Sequence, residues 1–217
     1  MATISASTSY VTGWRSRHGG TTWMPSSSSW ASTEESTGYT YTCASNPSGN
    51  NKYTIILKIH TPSGNYINSI DSVTVNFKAY KGNSTSGTLY GSLRTKVSDL
   101  GSSDTSSTYR NYAIGSEASK TFGSTSYTSI SMTFNGTLSK DTDYYLVLYS
   151  KSNNDMFYAR ALDWTGSTGG RPTASFSYSE PVTHFFWYFD EYQGSSSFNS
   201  QTVLDGGNLQ LLGALND

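Results

Sequence analysis

The feature that most constrains the fold is an alternation of apolar and polar residues with a period of two. Successive side chains of a β-strand point to opposite faces of a sheet, so this pattern predicts strands with one buried and one solvated face. The apolar members of the three clearest segments are Val73, Val75, Phe77 and Ala79, then Ile130, Met132 and Phe134, then Ala174, Phe176 and Tyr178.

Two further runs, residues 53–59 and 144–149, are apolar at almost every position. They predict central strands that are covered on both faces. Turn-forming clusters at residues 62–65 and 135–136 separate the strand segments, and no segment has the periodicity of an amphipathic helix. We therefore expect an all-β fold in which residues 40–180 form a jelly-roll-like antiparallel β-sandwich.

The two ends of the chain differ from this region in composition. Residues 1–39 contain Trp14, Trp23 and Trp30 in a Ser/Thr-rich background, and we expect them to pack on the sandwich or lead into it. Residues 181–217 begin with the strand-breaking Pro181 and include an aromatic run and a Leu-containing end. This composition predicts a C-terminal extension.

The charge content excludes several classes of partner. Only 13% of the 217 residues are charged, and the formal net charge is −1. Without clustered Lys and Arg, the sequence predicts no positively charged patch to bind a nucleic acid or an anionic membrane surface. No long apolar run predicts a membrane-spanning helix, and the first residues lack the apolar core of a signal peptide. The single cysteine, Cys43, allows no internal disulfide.

Catalytic and metal-binding patterns are weak. The three histidines, His18, His60 and His184, lack metal-ligand spacing and are interpreted as structural. Asp141 and Asp143 are interpreted as turn residues ahead of a strand, with calcium binding as the alternative. The prediction is that the chain is not an enzyme and holds no cofactor or metal. The other acids weighed as a glycosidase pair are Glu34, Glu35, Asp163, Asp190 and Glu191.

Aromatic residues are the best candidates for ligand binding. The chain has 17 Tyr and 5 Trp, and these rings offer rigid contact area while Ser and Asn adapt their hydrogen bonds. Sugar rings stack on such surfaces, so a glycan platform is predicted at Trp14, Trp23, Trp30 and Trp164. The alternative is that these indoles fill a core that is short of aliphatic residues.

The C-terminal extension is predicted to be an assembly arm. Its consecutive aromatic residues cannot all face one core, because neighbouring side chains of a strand point to opposite sides. Burying the remainder against another subunit would stabilise a homo-oligomer. The alternative is that the segment folds back on its own domain. The interface residues predicted are Phe185, Phe186, Trp187, Tyr188, Phe189, Leu209, Leu211, Leu212 and Leu215.

Residues 138–150, Leu-Ser-Lys-Asp-Thr-Asp-Tyr-Tyr-Leu-Val-Leu-Tyr-Ser, combine a turn with a tyrosine-rich strand. This segment resembles the penultimate strand of jelly-roll modules in bacteriophage tail, baseplate and fibre proteins and in carbohydrate-binding modules. The composition, rich in Ser, Thr, Gly and Tyr, is also similar to that of small virion proteins. The resemblance implies a structural or adhesive role and carries no site residue.

These observations predict a non-enzymatic virion protein of the tail or adsorption apparatus. Such a protein would be made in a bacterial cytoplasm, and its expected partners are copies of itself, other virion proteins and host surface polysaccharide. The first alternative is a carbohydrate-binding β-sandwich module, and the second is a β-sandwich glycoside hydrolase. Virion copurification, glycan binding by a monomer and catalytic turnover would distinguish the three.

Overall fold

In the computed structural model, the described part of the chain is built almost entirely from β-strands. The structure describes residues 1–17, 23–24, 41–43, 54–81, 85–97, 112–151, 157–159, 172–180, 187–193, 196–205 and 208–214. Within these ranges the only helical element is the 3-10 turn Thr8–Tyr10. No helix in the described ranges has the length and hydropathy needed to cross a membrane.

The first sheet is organised around the long strand β6. Antiparallel neighbours flank β6 on both sides, with β9 on one side and β12 and β11 on the other, and β1 and β4 extend the sheet. Its strands are β1 (Ala2–Ser7), β4 (Tyr41–Cys43), β6 (Ser69–Lys81), β9 (Thr128–Leu138), β11 (Phe157–Ala159) and β12 (Thr173–Ser179).

The second sheet has the strand order β3-β2-β5-β10-β7-β8, and its pairs are antiparallel. The crossovers between the two sheets make the jelly-roll-like sandwich that the sequence predicts. Its strands are β2 (Val11–Arg17), β3 (Trp23–Met24), β5 (Thr54–His60), β7 (Gly87–Arg94), β8 (Ala118–Phe122) and β10 (Asp143–Ser150).

The hydrophobic core lies between the two sheets and confirms the period-two prediction. Each predicted core residue has at most 4% of its surface exposed and belongs to one continuous cluster. These residues are Phe77, Ile130, Met132, Phe134, Leu146, Leu148 and Phe176. The strands β5 and β10 are buried on their outer faces as well, where Ile56, Val147 and Tyr149 form a second small cluster.

The N-terminal segment belongs to the sandwich itself. Strand β1 pairs with β12 in the first sheet, and β2 pairs with β5 in the second. Residues 2–17 therefore contribute a strand to each of the two sheets. Strand β2 lacks a period-two pattern in the sequence because its register shifts between Val11 and Gly13. This shift places the buried Val11 and Trp14 three residues apart.

The dipeptide Asn135-Gly136 forms a bulge rather than the predicted turn. Both residues lie within β9, where the register shifts opposite Ile70 and Ser72. Glycine is needed here because a Cβ on Gly136 would lie 2.7 Å from Cγ2 of Ile114. A bulge of this kind bends the strand without ending it.

The C-terminal segment forms a third, three-stranded antiparallel sheet. It consists of β13 (Trp187–Gln193), β14 (Ser196–Asp205) and β15 (Asn208–Ala214) in sequential order. Within the described ranges, these strands pair with one another and with no strand of the sandwich. The Leu-containing end therefore forms the paired strand β15.

Candidate functional site

The outer face of the second sheet carries a concentration of tyrosine and charged side chains. Since Leu57, Leu93 and Leu146 point into the core, the alternate positions of β5, β7 and β10 point outward. We call this surface the tyrosine face. Its outward residues are Lys58 on β5, Tyr90, Ser92 and Arg94 on β7, and Tyr145, Val147 and Tyr149 on β10.

The strand register arranges these residues in rows across the sheet. Tyr145 lies opposite Lys58 on one side and Arg94 on the other. Two residues further along β10, Val147 lies between Ile56 and Ser92. The next row places Tyr149 opposite Tyr90, whose other neighbour is Ser119 on β8.

The row that contains Tyr90 and Tyr149 is bound together by several contacts. The two rings stack with a centroid distance of 5.9 Å and an interplanar angle of 21°. The Tyr149 hydroxyl donates a hydrogen bond to the Glu117 carboxylate. Nζ of Lys151 lies 2.5 Å from Oε1 of the same carboxylate and 4.1 Å from the centroid of the Tyr90 ring. The result is an aromatic surface bordered by one anion and one cation.

Burial divides the tyrosine face into a floor and a rim. Ile56, Val147 and Tyr149 are fully buried, while Tyr90 and Tyr145 are half-buried and pack against them. The polar residues Ser92 and Arg94 are also buried. The face thus combines a rigid base with rings that remain partly accessible.

A polar cluster marks the other end of the same face. Nδ1 of His60 lies 2.8 Å from Oδ1 of Asp143, and its Nε2 lies 3.1 Å from Oδ1 of Asp141. Lys58 contacts the second oxygen of Asp143 at 2.8 Å. A neutral imidazole donates from only one nitrogen, so hydrogen bonds at both nitrogens require the imidazolium form.

The contacts within this cluster shift the pKa values of His60 and Asp143. The hydrogen bond to Asp143 raises the pKa of His60, partial burial opposes this, and the bond to Asp141 adds to the increase. Burial alone would raise the pKa of Asp143, but the hydrogen bonds from Lys58 and His60 outweigh it and lower that pKa. Each partner therefore favours the charged form of the other.

The turn that precedes β10 has the role predicted for it. Asp141 has a positive φ of 52°, a conformation that Asp tolerates better than most residues. Its backbone N–H donates to the carbonyl of Pro62 at 3.2 Å. Oγ1 of Thr61 lies 2.8 Å from the Ser139 carbonyl and accepts from the Thr142 N–H at 2.9 Å. The interpretation of Asp141 as a turn residue is confirmed.

Within the described ranges, no group of three or more His, Cys, Asp and Glu side chains is placed to hold a metal. Cys43 lies on β4. Asp190 and Glu191 lie on β13, whose backbone alone is described. The remaining acids weighed as catalytic, Glu34, Glu35 and Asp163, lie outside the described residues, as do His18 and His184.

The predicted tryptophan platform is not assembled as one surface. Trp14 is fully buried in the core, opposite Leu57 on β5, so its assignment to a ligand-binding surface is corrected. Trp23 lies on β3, where the backbone alone is described. Trp30 and Trp164 lie outside the described residues. The tyrosine face was missed because its rows depend on the register between β7 and β10, which no local pattern encodes.

The predicted assembly residues fall mostly on the third sheet. Trp187, Tyr188 and Phe189 lie on β13, and Leu209, Leu211 and Leu212 lie on β15. Leu211 pairs with Thr202 of β14, and Leu209 pairs with Leu204. Phe185, Phe186 and Leu215 lie outside the described residues.

No protein-family model and no curated protein matches the sequence. Among solved structures, the chain is similar to the CBM22-1 xylan-binding domain of Paenibacillus barcinonensis Xyn10C, with 8% identity over 76% of this chain and 94% of that domain, and a TM-score of 0.31. It is also similar to the carbohydrate-binding module CBM36 in complex with calcium and xylotriose, with 10% identity over 64% of this chain and 91% of the module, and a TM-score of 0.29.

A third similar structure is the arabinose-bound GH51 α-L-arabinofuranosidase MgGH51, with 11% identity and a TM-score of 0.30. The match covers 60% of this chain and 20% of that enzyme, so the chain spans about a fifth of the enzyme's length. At these scores, the likenesses add nothing to what the chain's own sheet topology establishes.

Proposed function

We propose that the chain is a non-catalytic carbohydrate-binding β-sandwich module. The observation that carries this proposal is the row formed by Tyr90 and Tyr149 on the outer face of the second sheet. Tyr149 is buried and holds the half-buried Tyr90, whose accessible part offers apolar contact to the C–H face of a sugar. The adjoining Glu117 and Lys151 offer an acceptor and a donor to sugar hydroxyls.

The dimensions of the face favour an extended polymer. Along β10, the outward positions run from Asp143 at one end to Lys151 just beyond the other. Eight residues of extended strand span about 26 Å. Val147 and Tyr149 are buried, so the accessible positions of this line are Asp143 and Tyr145 at one end and Lys151 at the other. Contacts at both ends need a ligand of several sugar units, and such weak contacts add up to useful affinity.

The placement of the acids favours binding over hydrolysis. Asp143 lies at the start of β10, and Glu117 contacts Tyr149 near its end. Six residues of strand separate these positions by about 20 Å. The two carboxyl groups of a glycosidase lie only about 5–9.5 Å apart, so this pair is too widely spaced to cleave a glycosidic bond.

Affinity electrophoresis of the full chain against a panel of soluble polysaccharides tests this proposal. At least one polymer is expected to retard the protein, and Tyr90→Ala is expected to remove most of the retardation. Tyr66→Ala is the matched control, because Tyr66 is 55% exposed and makes an edge-to-face contact with Tyr178 on another part of the surface. Equal retardation of the wild type and Tyr90→Ala would contradict the proposal.

The second candidate is a virion structural protein that assembles through its C-terminal segment. The observation that favours it is the third sheet, whose described strands pair only with one another. Aromatic and leucine residues on an appended sheet suit contact with another subunit. Electron microscopy of purified full-length protein would test this candidate, since it predicts rings, fibres or other closed assemblies.

A further inference from the structure

The outer face of the first sheet has a different composition from the tyrosine face. Its residues lie in three rows, read from the register of β1, β12, β6 and β9. We call this surface the hydroxyl face. Its members are Thr3, Ser177, Ser72 and Asn135 in the first row, Ser175, Thr74 and Thr133 in the second, and Thr173, Asn76 and Ser131 in the third.

None of these ten side chains is charged or apolar. The nearest charged side chains on these strands flank the three rows along β6: Lys78 lies one row beyond Asn76, and Asp71 directly precedes Ser72. Side chains on β9 are exposed and those on the central β6 are half-buried, as expected for a sheet face open to solvent. Spacings of about 4.8 Å between strands and about 6.8 Å along them give a regular lattice of hydroxyl and amide groups, about 14 Å on a side.

Cross-strand hydrogen bonds hold part of this lattice in place. Oγ1 of Thr74 lies 2.9 Å from Oγ1 of Thr133, and Oγ of Ser69, just beyond the first row, lies 2.6 Å from Oγ of Ser179. Pairs of this kind fix rotamers before a ligand arrives, which lowers the entropic cost of binding. Each hydroxyl also retains further capacity to donate or accept.

The composition of the face excludes most classes of macromolecular partner. A nucleic acid or an anionic membrane needs clustered cations. The centre of a protein interface is normally apolar and aromatic. An acidic or basic polymer would lose hydration of its charges on this surface without gaining counter-charges. A neutral polyhydroxyl surface loses no charge hydration, and its hydroxyl groups can both donate to and accept from the side chains of this face.

We propose that the hydroxyl face docks on the surface of an insoluble, neutral polysaccharide. This inference rests on the proposed function and adds a second, separate contact surface to it. A single hydroxyl contact is weak because water competes for it, so the face needs a ligand that engages many hydroxyls together. A packed polysaccharide surface does so, whereas a soluble oligosaccharide leaves most of the lattice unoccupied.

Sedimentation of the full chain with insoluble cellulose, chitin and xylan particles tests this inference. Thr133→Glu and Ser131→Arg place opposite charges at exposed positions of the face. Both are expected to lower binding about tenfold, since burying either charge against a neutral solid has an uncompensated desolvation cost. Binding of soluble polysaccharide by the tyrosine face should stay unchanged in both variants.

Thr125→Glu is the matched control. Thr125 is exposed between β8 and β9 and belongs to no row of either face. This variant is expected to sediment with the particles as the wild type does. Circular dichroism and thermal unfolding of all three variants confirm that each is folded.

Several results would overturn the inference. One is wild-type binding to particles by Thr133→Glu and Ser131→Arg, and another is an equal loss in Thr125→Glu. A folded protein that binds soluble polysaccharide but no particle would remove the inference and leave the proposed function intact. A folded protein that binds neither soluble nor particulate polysaccharide would contradict both the inference and the proposed function. A dimer that dissociates in Thr133→Glu, seen by light scattering, would show instead that a second copy covers this face.

Discussion

Tyr90 and Tyr149 lie directly opposite each other on neighbouring strands, and their rings stack 5.9 Å apart on the outer face of the second sheet. The two residues are far apart in the sequence and meet because β10 inserts between β5 and β7. Tyr149 is fully buried and anchors the half-buried Tyr90. The Tyr90 ring is therefore held by the same strand pairing that builds the core.

The sandwich core should be sensitive to truncation of its large side chains. Phe134 and Leu146 are at most 1% exposed and lie in the same cluster between the sheets. We expect Phe134→Ala and Leu146→Ala each to lower the free energy of unfolding by about 2–5 kcal/mol. Urea denaturation measures the change, with the exposed Ser131→Ala as the control. Losses below about 1 kcal/mol at both sites would contradict the register described here.

The hydrogen bond from Tyr149 to Glu117 should contribute to stability. Tyr149→Phe keeps the buried ring but leaves the Glu117 carboxylate, whose side chain is 12% exposed, without this donor. We expect a loss of about 1–3 kcal/mol, because a buried acceptor then lacks part of its solvation. Tyr66→Phe, on an exposed ring, should change little. Thermal unfolding compares the two variants.

The contacts of His60 predict a pH dependence of stability. Its pKa is raised in the folded state, so its contribution is complete below the unfolded value of about 6.5 and is lost as the pH rises through the folded pKa. The pKa of Asp143 is lowered, so its contribution is complete above about 3.9 and is lost as the pH falls through the folded pKa. Stability from this cluster should therefore be greatest between about pH 4 and pH 6.5.

The size of this pH effect should be modest. The His60 side chain is 41% exposed, and solvent screening limits such pairs to about 1 kcal/mol or less. Thermal unfolding of the wild type and His60→Gln from pH 4 to pH 9 is the measurement. The difference between the two should shrink as the pH rises. A difference that stays constant with pH would show that His60 acts through packing alone.

The C-terminal sheet predicts a change in oligomeric state. The second candidate, a virion protein, predicts that the full-length protein is oligomeric at micromolar concentration and that deletion of residues 181–217 leaves a folded monomer. The sandwich should survive because its described strands pair with none of β13, β14 and β15. Light scattering and circular dichroism together test this. A monomeric full-length protein, or a truncation that keeps the parent's mass, would remove the case for an assembly arm.

The strands with regular alternation could be predicted from the sequence, and those with bulges could not. Val73, Val75 and Phe77 alternate regularly with polar residues along β6, so their burial could be predicted from the sequence. In β2, the register shift between Val11 and Gly13 breaks the period, so that Trp14 resembled a loop residue in a Ser/Thr-rich segment. A bulge shifts which residues share a face, and a pattern of period two cannot detect it.

The candidate site was less predictable than the core because it depends on pairing between distant strands. Asp141 was recognisable as a turn residue, whereas Asp143, also predicted in the turn, is the first residue of β10. The contacts of both with His60 follow from the register of β5 and β10. The rows of the tyrosine face likewise need the positions of three strands at once. Local sequence specifies which side chains alternate, whereas strand order specifies which of them meet.

Nuclear magnetic resonance with isotopically labelled full-length protein tests the central claim most directly. A soluble oligosaccharide, taken from the polymer that retards the protein, is added stepwise while backbone amide shifts are followed. Carbohydrate binding at the tyrosine face predicts concentration-dependent shifts at Tyr90, Tyr145 and Ser119, which Tyr90→Ala abolishes. Shifts confined to other parts of the surface, or shifts that persist unchanged in Tyr90→Ala, would contradict the account.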